Sequence, residues 1–242
     1  MPYTHQMAGK KPPKTIVKGK NPRGLQKRVN VKTRENRSIS SARWLQRQLN
    51  DPYVKAAKAE GYRSRAAFKI IQMHEDLNLF KSGQKVIDLG AAPGGWTQIA
   101  VEFVKPGKTG GRVVAIDYLE MPEVAGAEFI CLDFMDNTAP ALLKKAIGGK
   151  ADVVLSDMAP PTIGHKRTDH LRIMALAEAA YAFAREVLVP GGTFLSKVFM
   201  GGAEKDLLNQ LKKDFVKIKH VKPHASRSDS SEMYVVALGF RG

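Results

Sequence analysis

A regular alternation of strand-like and helix-like segments after Gly83 constrains the fold more than any other feature of the chain. Seven short apolar runs have the length and composition of strands, at Val86–Leu89, Arg112–Ile116, Glu128–Leu132, Asp152–Ser156, Thr193–Phe199, Val216–Val221 and Met233–Leu238. Helix-like stretches separate most of them, at Trp96–Val104, Ala139–Ile147, Asp169–Leu188 and Glu204–Lys213. Because strands that alternate with helices pair in parallel, the pattern predicts an α/β fold whose sheet is covered on both faces. The last two runs lack a long helix between them, which predicts an antiparallel pair.

Helical patterns also precede the alternating part of the chain. One extends from Ser40 to Glu60, and Ser64 is predicted to be the N-cap of a further helix that runs to about Leu79. Residues 1–38 show no comparable pattern and are too polar to bury much apolar surface. We therefore predict a disordered basic arm over residues 1–38 and a folded domain, including its amino-terminal helices, over residues 39–242.

Positive charge is concentrated at the amino-terminal end. Residues 1–50 hold 13 Lys/Arg and one acid, Glu35, whereas residues 51–242 hold 26 Lys/Arg and 22 acids, so +12 of the net +16 lies in the first fifth. An arm of this charge suits a polyanion, and nucleic acid is the partner that we expect. A solubilising tail remains an alternative, as does a mitochondrial presequence, although the Lys/Pro-rich stretch shows no clear amphipathic helix.

Several classes of protein are disfavoured by the composition. No apolar run approaches the ~18 residues that a membrane-spanning helix needs, and no secretory signal follows Met1. The single cysteine, Cys131, lies in an apolar run and is expected to be a core thiol. The six histidines show no metal-ligand spacing with Cys or acidic residues. We expect a cytoplasmic monomer that needs neither membrane nor metal.

A glycine-rich turn follows the first predicted strand and leads into a helix. In the sequence Val-Ile-Asp-Leu-Gly-Ala-Ala-Pro-Gly-Gly-Trp of residues 86–96, glycines stand at Gly90, Gly94 and Gly95. Ala92 occupies the place of the second glycine in the dinucleotide fingerprint G-x-G-x-x-G, and no Gly-Lys-Ser/Thr of a phosphate loop is present. Glycines at the carboxyl end of a strand let the backbone approach a ligand closely. The turn therefore predicts a ligand site but disfavours a pyrophosphate.

Acidic residues follow the next two predicted strands. Asp117 can accept hydrogen bonds from ribose hydroxyls, and Asp133 can accept one from the exocyclic amine of adenine. Either residue alone could equally be a helix cap or a turn residue. Their order after the glycine turn favours an adenosine ligand without phosphates, and we predict S-adenosyl-L-methionine as the cofactor.

A lysine interrupts the predicted buried strand Thr193–Phe199. A buried Lys197 ammonium must find partners or lose its proton, although an edge lysine could instead reach water along its side chain. Aligned strand ends could bring Asp157 and Glu232 to it, and Lys69 lies on the helix before the sheet. The alternative is a set of surface ion pairs of little energetic value. No aromatic residue follows the prolines after Asp157, which argues against methylation of a base amine.

Together these motifs resemble the FtsJ-like ribose 2′-O-methyltransferases, and especially the bacterial enzymes of large-subunit ribosomal RNA. The matching blocks occur in the right order and are Ser64–Lys69, Val86–Trp96, Ser156–Pro160, Pro190–Phe199 and Ser226–Val235. The resemblance implies a Rossmann-like methyltransferase fold with a seven-stranded, mostly parallel sheet and an antiparallel last strand. It covers most of residues 62–242, whereas nothing in the basic arm matches a family motif.

The resemblance also implies a site and a substrate. Its catalytic tetrad corresponds to Lys69, Asp157, Lys197 and Glu232, and its cofactor contacts correspond to Gly94, Trp96, Asp117, Asp133 and Asp157. It points to a uridine in the peptidyl-transferase centre of the large subunit, either in naked RNA or in the assembled subunit. The family also contains members that act on transfer RNA or on messenger RNA caps, so those RNAs are alternative substrates. A non-catalytic ribosome-assembly factor is the competing class of function.

A chemical role for each member of the tetrad follows from the reaction. A ribose hydroxyl must lose its proton as it attacks the methyl group, and Lys197 is the acceptor that we hypothesise. We expect burial and the neighbouring Lys69 to lower the pKa of Lys197, with Asp157 and Glu232 opposing that shift. Lys69 would position the hydroxyl and its neighbouring phosphate.

Residues outside the tetrad could contact RNA. Arg63, Arg65 and Arg227 could neutralise phosphates. Trp44 and Tyr62 could stack on bases, although core packing explains them equally well.

Overall fold

The computed structural model describes residues 39–161, 163–199, 205–227 and 230–242. The basic arm of residues 1–38 lies outside this range, so the predicted boundary between arm and domain stays a prediction. The chain divides into two units, Met1–Lys55 and Ala56–Gly242, and the sheet with the site belongs to the second. None of the described helices is both long and apolar enough to cross a bilayer.

Helices and strands alternate as the sequence predicted. The helices are α1 Ile39–Asn50, α2 Pro52–Glu60, α3 Ala66–Leu77, α4 Gly95–Val104, α5 Ala139–Ile147, α6 Lys166–Val187 and α7 Lys205–Asp214. The strands are β1 Lys85–Leu89, β2 Arg112–Asp117, β3 Ala127–Cys131, β4 Ala151–Ser156, β5 Leu188–Phe199, β6 Phe215–Val221 and β7 Glu232–Phe240. The predicted elements of the sheet region are therefore all present, with boundaries shifted by a few residues.

The seven strands form one sheet in the order β3-β2-β1-β4-β5-β7-β6. The first five pair in parallel, whereas β7 is antiparallel to both β5 and β6. This arrangement confirms the predicted α/β fold and its antiparallel last strand. Strand β2 lies on one side of β1 and strand β4 lies on the other, so the strand order reverses at β1. Sheets of this kind bind ligands at the carboxyl ends of the two strands that border such a point, which here are β1 and β4.

Two hydrophobic clusters cover the two faces of the sheet. Neighbouring residues of β1 point to opposite sides, so Ile87 belongs to the cluster that includes residues of α5, α6 and α7, and Val86 belongs to the cluster that includes residues of α3 and α4. Both side chains are fully buried. Burial of an aliphatic side chain of this size stabilises the fold by about 1.5–3 kcal/mol, and helices on both faces are what allows whole strands to be apolar.

The predicted cap at Ser64 is wrong. Helix α3 begins at Ala66 with Arg65 as its N-cap, and no side chain caps it. The Ser64 carbonyl accepts a hydrogen bond from Ala67 N at 3.2 Å, but its hydroxyl is buried without a partner among the described residues. That hydroxyl packs against the start of α4, where a Cβ added to Gly95 would lie 2.6 Å from it. The Ser64 side chain therefore packs against the start of α4 instead of capping α3.

The predicted burial of Cys131 is also wrong. Cys131 is the last residue of β3, which lies at one edge of the sheet. It is exposed because no further strand pairs with β3 on its outer side. Its Sγ lies 3.8 Å from the Tyr118 carbonyl oxygen. The apolar run around Cys131 could not reveal which strand would lie at the edge.

Candidate active site

Strand register brings the predicted catalytic residues to one point. Ser156 of β4 pairs with Ser196 of β5, so Asp157, which follows β4, lies beside Lys197. On the other side of β5, Lys197 pairs directly with Tyr234 of β7. Residues two apart on a strand share a face, so Glu232 and Tyr234 both point toward Lys197. Lys69 reaches the same point from α3.

The five side chains form one connected network. Lys197 Nζ lies 2.8 Å from Asp157 Oδ1, 2.9 Å from the Asp157 carbonyl oxygen and 3.6 Å from Glu232 Oε2. Lys69 Nζ lies 2.6 Å from Glu232 Oε1 and donates to Tyr234 Oη at 2.9 Å. The Tyr234 hydroxyl donates in turn to Asp157 Oδ1 at 2.7 Å. Two cations and two carboxylates thus balance within one network.

The network is buried. The side chains of Lys197 and Lys69 are 9% and 10% exposed, and those of Glu232 and Asp157 are 14% and 17% exposed. These values differ from the roughly half-exposed side chains of the pair between Arg112 and Glu128, which is an ordinary surface contact of small energetic value. The tetrad is therefore not the set of surface ion pairs considered as the alternative.

The carboxylates control protonation in the network. Burial favours the neutral form of Lys197, but Asp157 and Glu232 outweigh it, so the pKa of Lys197 lies above its ordinary value. Burial likewise opposes ionisation of Asp157 and Glu232, yet the lysines hold the pKa of each carboxyl below its usual range. Of the two opposing effects expected from the sequence, the carboxylates therefore outweigh burial, because both contact the Lys197 ammonium.

Tyr234 is a member of the site that sequence reasoning missed. It lies in an apolar run and is fully buried, so it was indistinguishable from a core residue. Burial and the adjacent Asp157 raise the pKa of the Tyr234 hydroxyl well above its ordinary value, which keeps that hydroxyl a donor. The available signal was its spacing of two from Glu232, which places both on one face. Ser226 was also missed, and its hydroxyl donates to Glu232 Oε1 at 3.1 Å.

The glycine turn between β1 and α4 allows close packing of the main chain. Gly90 has φ +77°, and a Cβ added there would lie 2.6 Å from Met158 Cγ and 2.9 Å from Met158 Cα. Gly94 has φ +99°, and a Cβ there would lie 2.8 Å from an Arg63 guanidinium nitrogen. No other residue type fits these positions without displacing main chain or arginine, which supports the turn as a preformed cradle.

Asp117 and Asp133 flank this cradle at the ends of their strands. Asp117 accepts hydrogen bonds from Ala92 N and Leu119 N, both at 2.9 Å, and so ties the glycine turn to the end of β2. Asp133 is exposed and accepts from Met135 N at 2.9 Å. Both residues thus have the turn-forming role considered as the alternative. A carboxylate has about four acceptor sites, so each can also accept bonds from an adenosine.

Trp96 and Asp88 contribute to the cradle from within the core. The Trp96 indole is 3% exposed, donates to Ala66 O at 2.9 Å and packs on the Tyr234 ring. Asp88 is fully buried and accepts from Thr97 Oγ1 at 2.7 Å, and burial raises its pKa to about 7. Its Oδ1 has no partner among the described residues. The bond to Thr97 instead fixes the start of α4 to β1.

Arg63 connects the two loops of the cradle. Its guanidinium donates to the Pro93 carbonyl oxygen at 3.3 Å and to the carbonyl oxygens of Pro122 and Glu123. Its own main-chain N donates to Gln98 Oε1 at 2.9 Å. Arg63 therefore links the glycine turn, the segment after β2 and helix α4. Within the described ranges, no group of three or more His, Cys, Asp or Glu residues could hold a metal ion.

Comparison with known proteins agrees with this geometry. Residues 62–240 match the FtsJ-like methyltransferase family. The chain is 62% identical over 214 residues to Ribosomal RNA large subunit methyltransferase E of Bradyrhizobium diazoefficiens, covering 88% of this chain and 94% of that protein. It is 61% identical over 217 residues to the protein of the same name from Paramagnetospirillum magneticum, covering 88% of each.

A solved structure shares the fold. The crystal structure of a ribosomal RNA methyltransferase from Plasmodium falciparum superposes with a TM-score of 0.64 at 30% identity, covering 75% of this chain and 100% of that one. The family match confirms the prediction of S-adenosyl-L-methionine as the methyl donor. By the length of that match and the identity to these relatives, this chain belongs to the FtsJ-like methyltransferase family.

Proposed function

We propose that the protein methylates the 2′-hydroxyl of a uridine ribose in large-subunit ribosomal RNA. The name shared by its relatives supports ribosomal RNA as the substrate and favours it over transfer RNA or a messenger cap. The buried tetrad of Lys69, Asp157, Lys197 and Glu232 is the observation that carries the ribose chemistry. Either naked RNA or the assembled subunit would be bound, by a monomer in the cytoplasm.

The tetrad suits a hydroxyl better than a base nitrogen. A ribose hydroxyl is a weak nucleophile whose proton must leave during attack, so a site for it needs a proton acceptor and donors that orient the oxygen. Lys197 and Lys69 supply two nitrogens in fixed positions, held by Asp157 and Glu232. The turn after β4 offers Met158 and prolines but no aromatic face for a flipped base.

In this proposal, Lys197 accepts the proton that the ribose hydroxyl loses. S-adenosyl-L-methionine supplies an electrophilic methyl group bound to a positively charged sulfur. As the oxygen–carbon bond forms and the carbon–sulfur bond breaks, the hydroxyl proton moves to Lys197 Nζ and the sulfur keeps the electron pair. Because the pKa of Lys197 is raised in the free protein, the reactive form is the minority in which Lys197 is neutral.

The remaining site residues position the reactants. Asp117 and Asp133 would accept hydrogen bonds from the cofactor's ribose and adenine, as the family pattern implies. Gly94 and the main chain of Trp96 would border the cofactor at the start of α4, where amide groups lack partners within the helix. Asp157 would serve both sides, since it lies between the cradle and Lys197.

The first test of the proposal is where the methyl group goes. Wild-type protein, labelled S-adenosyl-L-methionine and large ribosomal subunits from a strain lacking the gene should give labelled RNA. Alkali cleaves RNA through the free 2′-hydroxyl, so ribose methylation should leave the label in an alkali-resistant dinucleotide. Label recovered in mononucleotides would show base methylation and contradict the proposal. No transfer at all, with cofactor still bound in equilibrium dialysis, would favour the assembly factor.

Lys197→Met tests the proton acceptor. We expect kcat to fall by about 10²–10⁴-fold, the usual contribution of a general base, while binding of S-adenosyl-L-homocysteine is retained. Lys217→Met, at an exposed position of β6, is the matched control and should keep the wild-type rate. In the wild type, kcat/KM should rise with pH up to the raised pKa of Lys197 in the free protein, since only the neutral lysine accepts a proton. Wild-type turnover in Lys197→Met would exclude this role.

Arg63→Gln tests the link between the cradle loops. We expect weaker binding of S-adenosyl-L-homocysteine, by roughly tenfold for the loss of hydrogen bonds from a charged donor, because two loops lose their common partner. The KM for ribosomal subunits should stay near the wild-type value. Arg241→Gln removes the same charge beyond β7 and serves as the control. Unchanged cofactor affinity in a folded Arg63→Gln protein would contradict the assignment.

Deletion of residues 1–38 tests the basic arm. Eleven Lys/Arg and one acid lie in this segment, so the truncated protein should bind ribosomal RNA more weakly. The slope of log K against log salt should become shallower by about 0.7–0.9 for each phosphate that the shortened protein no longer neutralises. Cofactor binding should be unaffected, which also reports that the domain is folded. Equal RNA affinity and equal slope in the two proteins would show that the arm has another role.

A further inference from the structure

An open basic pocket lies beside the buried tetrad. Its volume is about 210 Å³, and its lining residues are Arg65, Ala66, Lys69, Arg227, Ser230 and Glu232. Three of these residues are cations and one is an anion. The Glu232 carboxylate already contacts Lys69 and, more distantly, Lys197, so the pocket presents an excess of positive charge. A concave site of this kind attracts an anion.

The walls of the pocket are held in place by hydrogen bonds. The Arg65 guanidinium donates to the Ala225 carbonyl oxygen, and Ala225 N donates to Gln72 Oε1 at 3.0 Å. These two bonds fasten the segment before Arg227 to helix α3. Ser230 Oγ accepts from the main-chain N of Glu232 at 3.1 Å, which ties the other wall to the start of β7.

Lys69 belongs to both the pocket and the tetrad. Its Nζ donates to Glu232 and Tyr234, and it also lines the pocket. An anion in the pocket would therefore be an immediate neighbour of the group that the tetrad acts on. In a ribonucleotide, the 2′-hydroxyl and the 3′-phosphate stand on adjacent ring carbons, so a phosphate is the anion that would accompany a reacting hydroxyl.

We propose that this pocket binds one backbone phosphate of the substrate RNA, next to the ribose that is methylated. This inference rests on the proposed function and identifies the residues that would contact a phosphate of the substrate RNA. Arg65 and Arg227 supply the planar forks that bind phosphate oxygens in pairs, and Lys69 supplies a point charge. The phosphate fixes the register of the strand, and the tetrad then receives a ribose at a set distance from it.

The structure separates these arginines from Arg63, which the sequence made equivalent to them. Arg63 directs its guanidinium at three main-chain carbonyl oxygens around the cofactor cradle. Arg65 and Arg227 instead line the basic pocket. The proposal therefore predicts different phenotypes: substitution of Arg63 should weaken cofactor binding, and substitution of Arg227 should weaken RNA binding.

Arg227→Gln provides the test, with unmethylated large-subunit RNA transcribed in vitro as the probe and S-adenosyl-L-homocysteine present. We expect RNA binding to weaken by roughly tenfold, from loss of a charged hydrogen-bonding group. The slope of log K against log salt should fall by about 0.7–0.9, the value for one neutralised phosphate. Arg227→Lys keeps the charge but loses the fork, and should lie between Arg227→Gln and the wild type. Binding of S-adenosyl-L-homocysteine should be unchanged in both variants.

Arg241→Gln is the matched control for net charge, because Arg241 follows β7 at the end of the sheet opposite the tetrad. If Arg227→Gln and Arg241→Gln show the same affinity and the same salt slope, the phosphate site is overturned. That outcome leaves the proposed function intact if the wild type still labels ribose. If the wild type labels no ribose while Arg227→Gln alone loses affinity and slope, the phosphate site stands and the proposed reaction fails.

Discussion

The contact of Lys197 with Asp157 and Glu232 is the interaction on which the site depends. Each ion buried in such a network loses hydration worth several kcal/mol, and this loss is offset only while every charge keeps its partner. The 2.8 Å contact to Asp157 and the 2.6 Å contact between Glu232 and Lys69 provide those partners. Removal of one charged member would leave an uncompensated charge in the buried network and would destabilise the fold by about 3–5 kcal/mol.

Stability alone does not explain why the network is charged. Replacement of a whole buried ion cluster by apolar residues of similar volume is often neutral or stabilising. The same face of the sheet already carries buried apolar side chains next to the network, namely Leu195 and Val236. A core that could be completed with aliphatic side chains but holds two lysines and two carboxylates supports the proposal that a reaction needs them.

The same contacts that position Lys197 also oppose its role as a base. A carboxylate beside an ammonium favours the charged form, and the net effect here is a raised pKa. The network moderates this effect because neither carboxylate serves Lys197 alone. Glu232 is closer to Lys69, at 2.6 Å against 3.6 Å, and Asp157 also accepts from Tyr234. Because Lys69 and Tyr234 share these carboxylates, Asp157 and Glu232 hold Lys197 in place but raise its pKa less than they would if they contacted Lys197 alone.

Local sequence patterns predicted the sheet and the tetrad but not the contacts between distant strands. Lys197 stood out because a cation in an apolar strand is costly, and the family resemblance implied Lys69, Asp157 and Glu232 as its partners. Tyr234 was missed because it lies in an apolar run and its contact with Lys197 depends on the pairing of β7 with β5, which is not a local property of the sequence. The exposure of Cys131 was missed for a related reason, since the position of β3 at the edge depends on the order of the strands.

One short segment joins the three parts of the site. Arg63 holds the loops of the cofactor cradle, Arg65 lines the basic pocket, and Lys69 enters the tetrad, all within the first turns of α3 and the residues before it. Trp96 fixes this segment to α4 by its bond to Ala66 O, and its ring packs on Tyr234. Arg63 lies three residues before α3 and Lys69 lies in its first turns, so a change in the packing of this segment would displace both side chains. The proposed alignment of cofactor and ribose therefore depends on how α3 packs, and Gly95, with Ser64 against it, allows that packing.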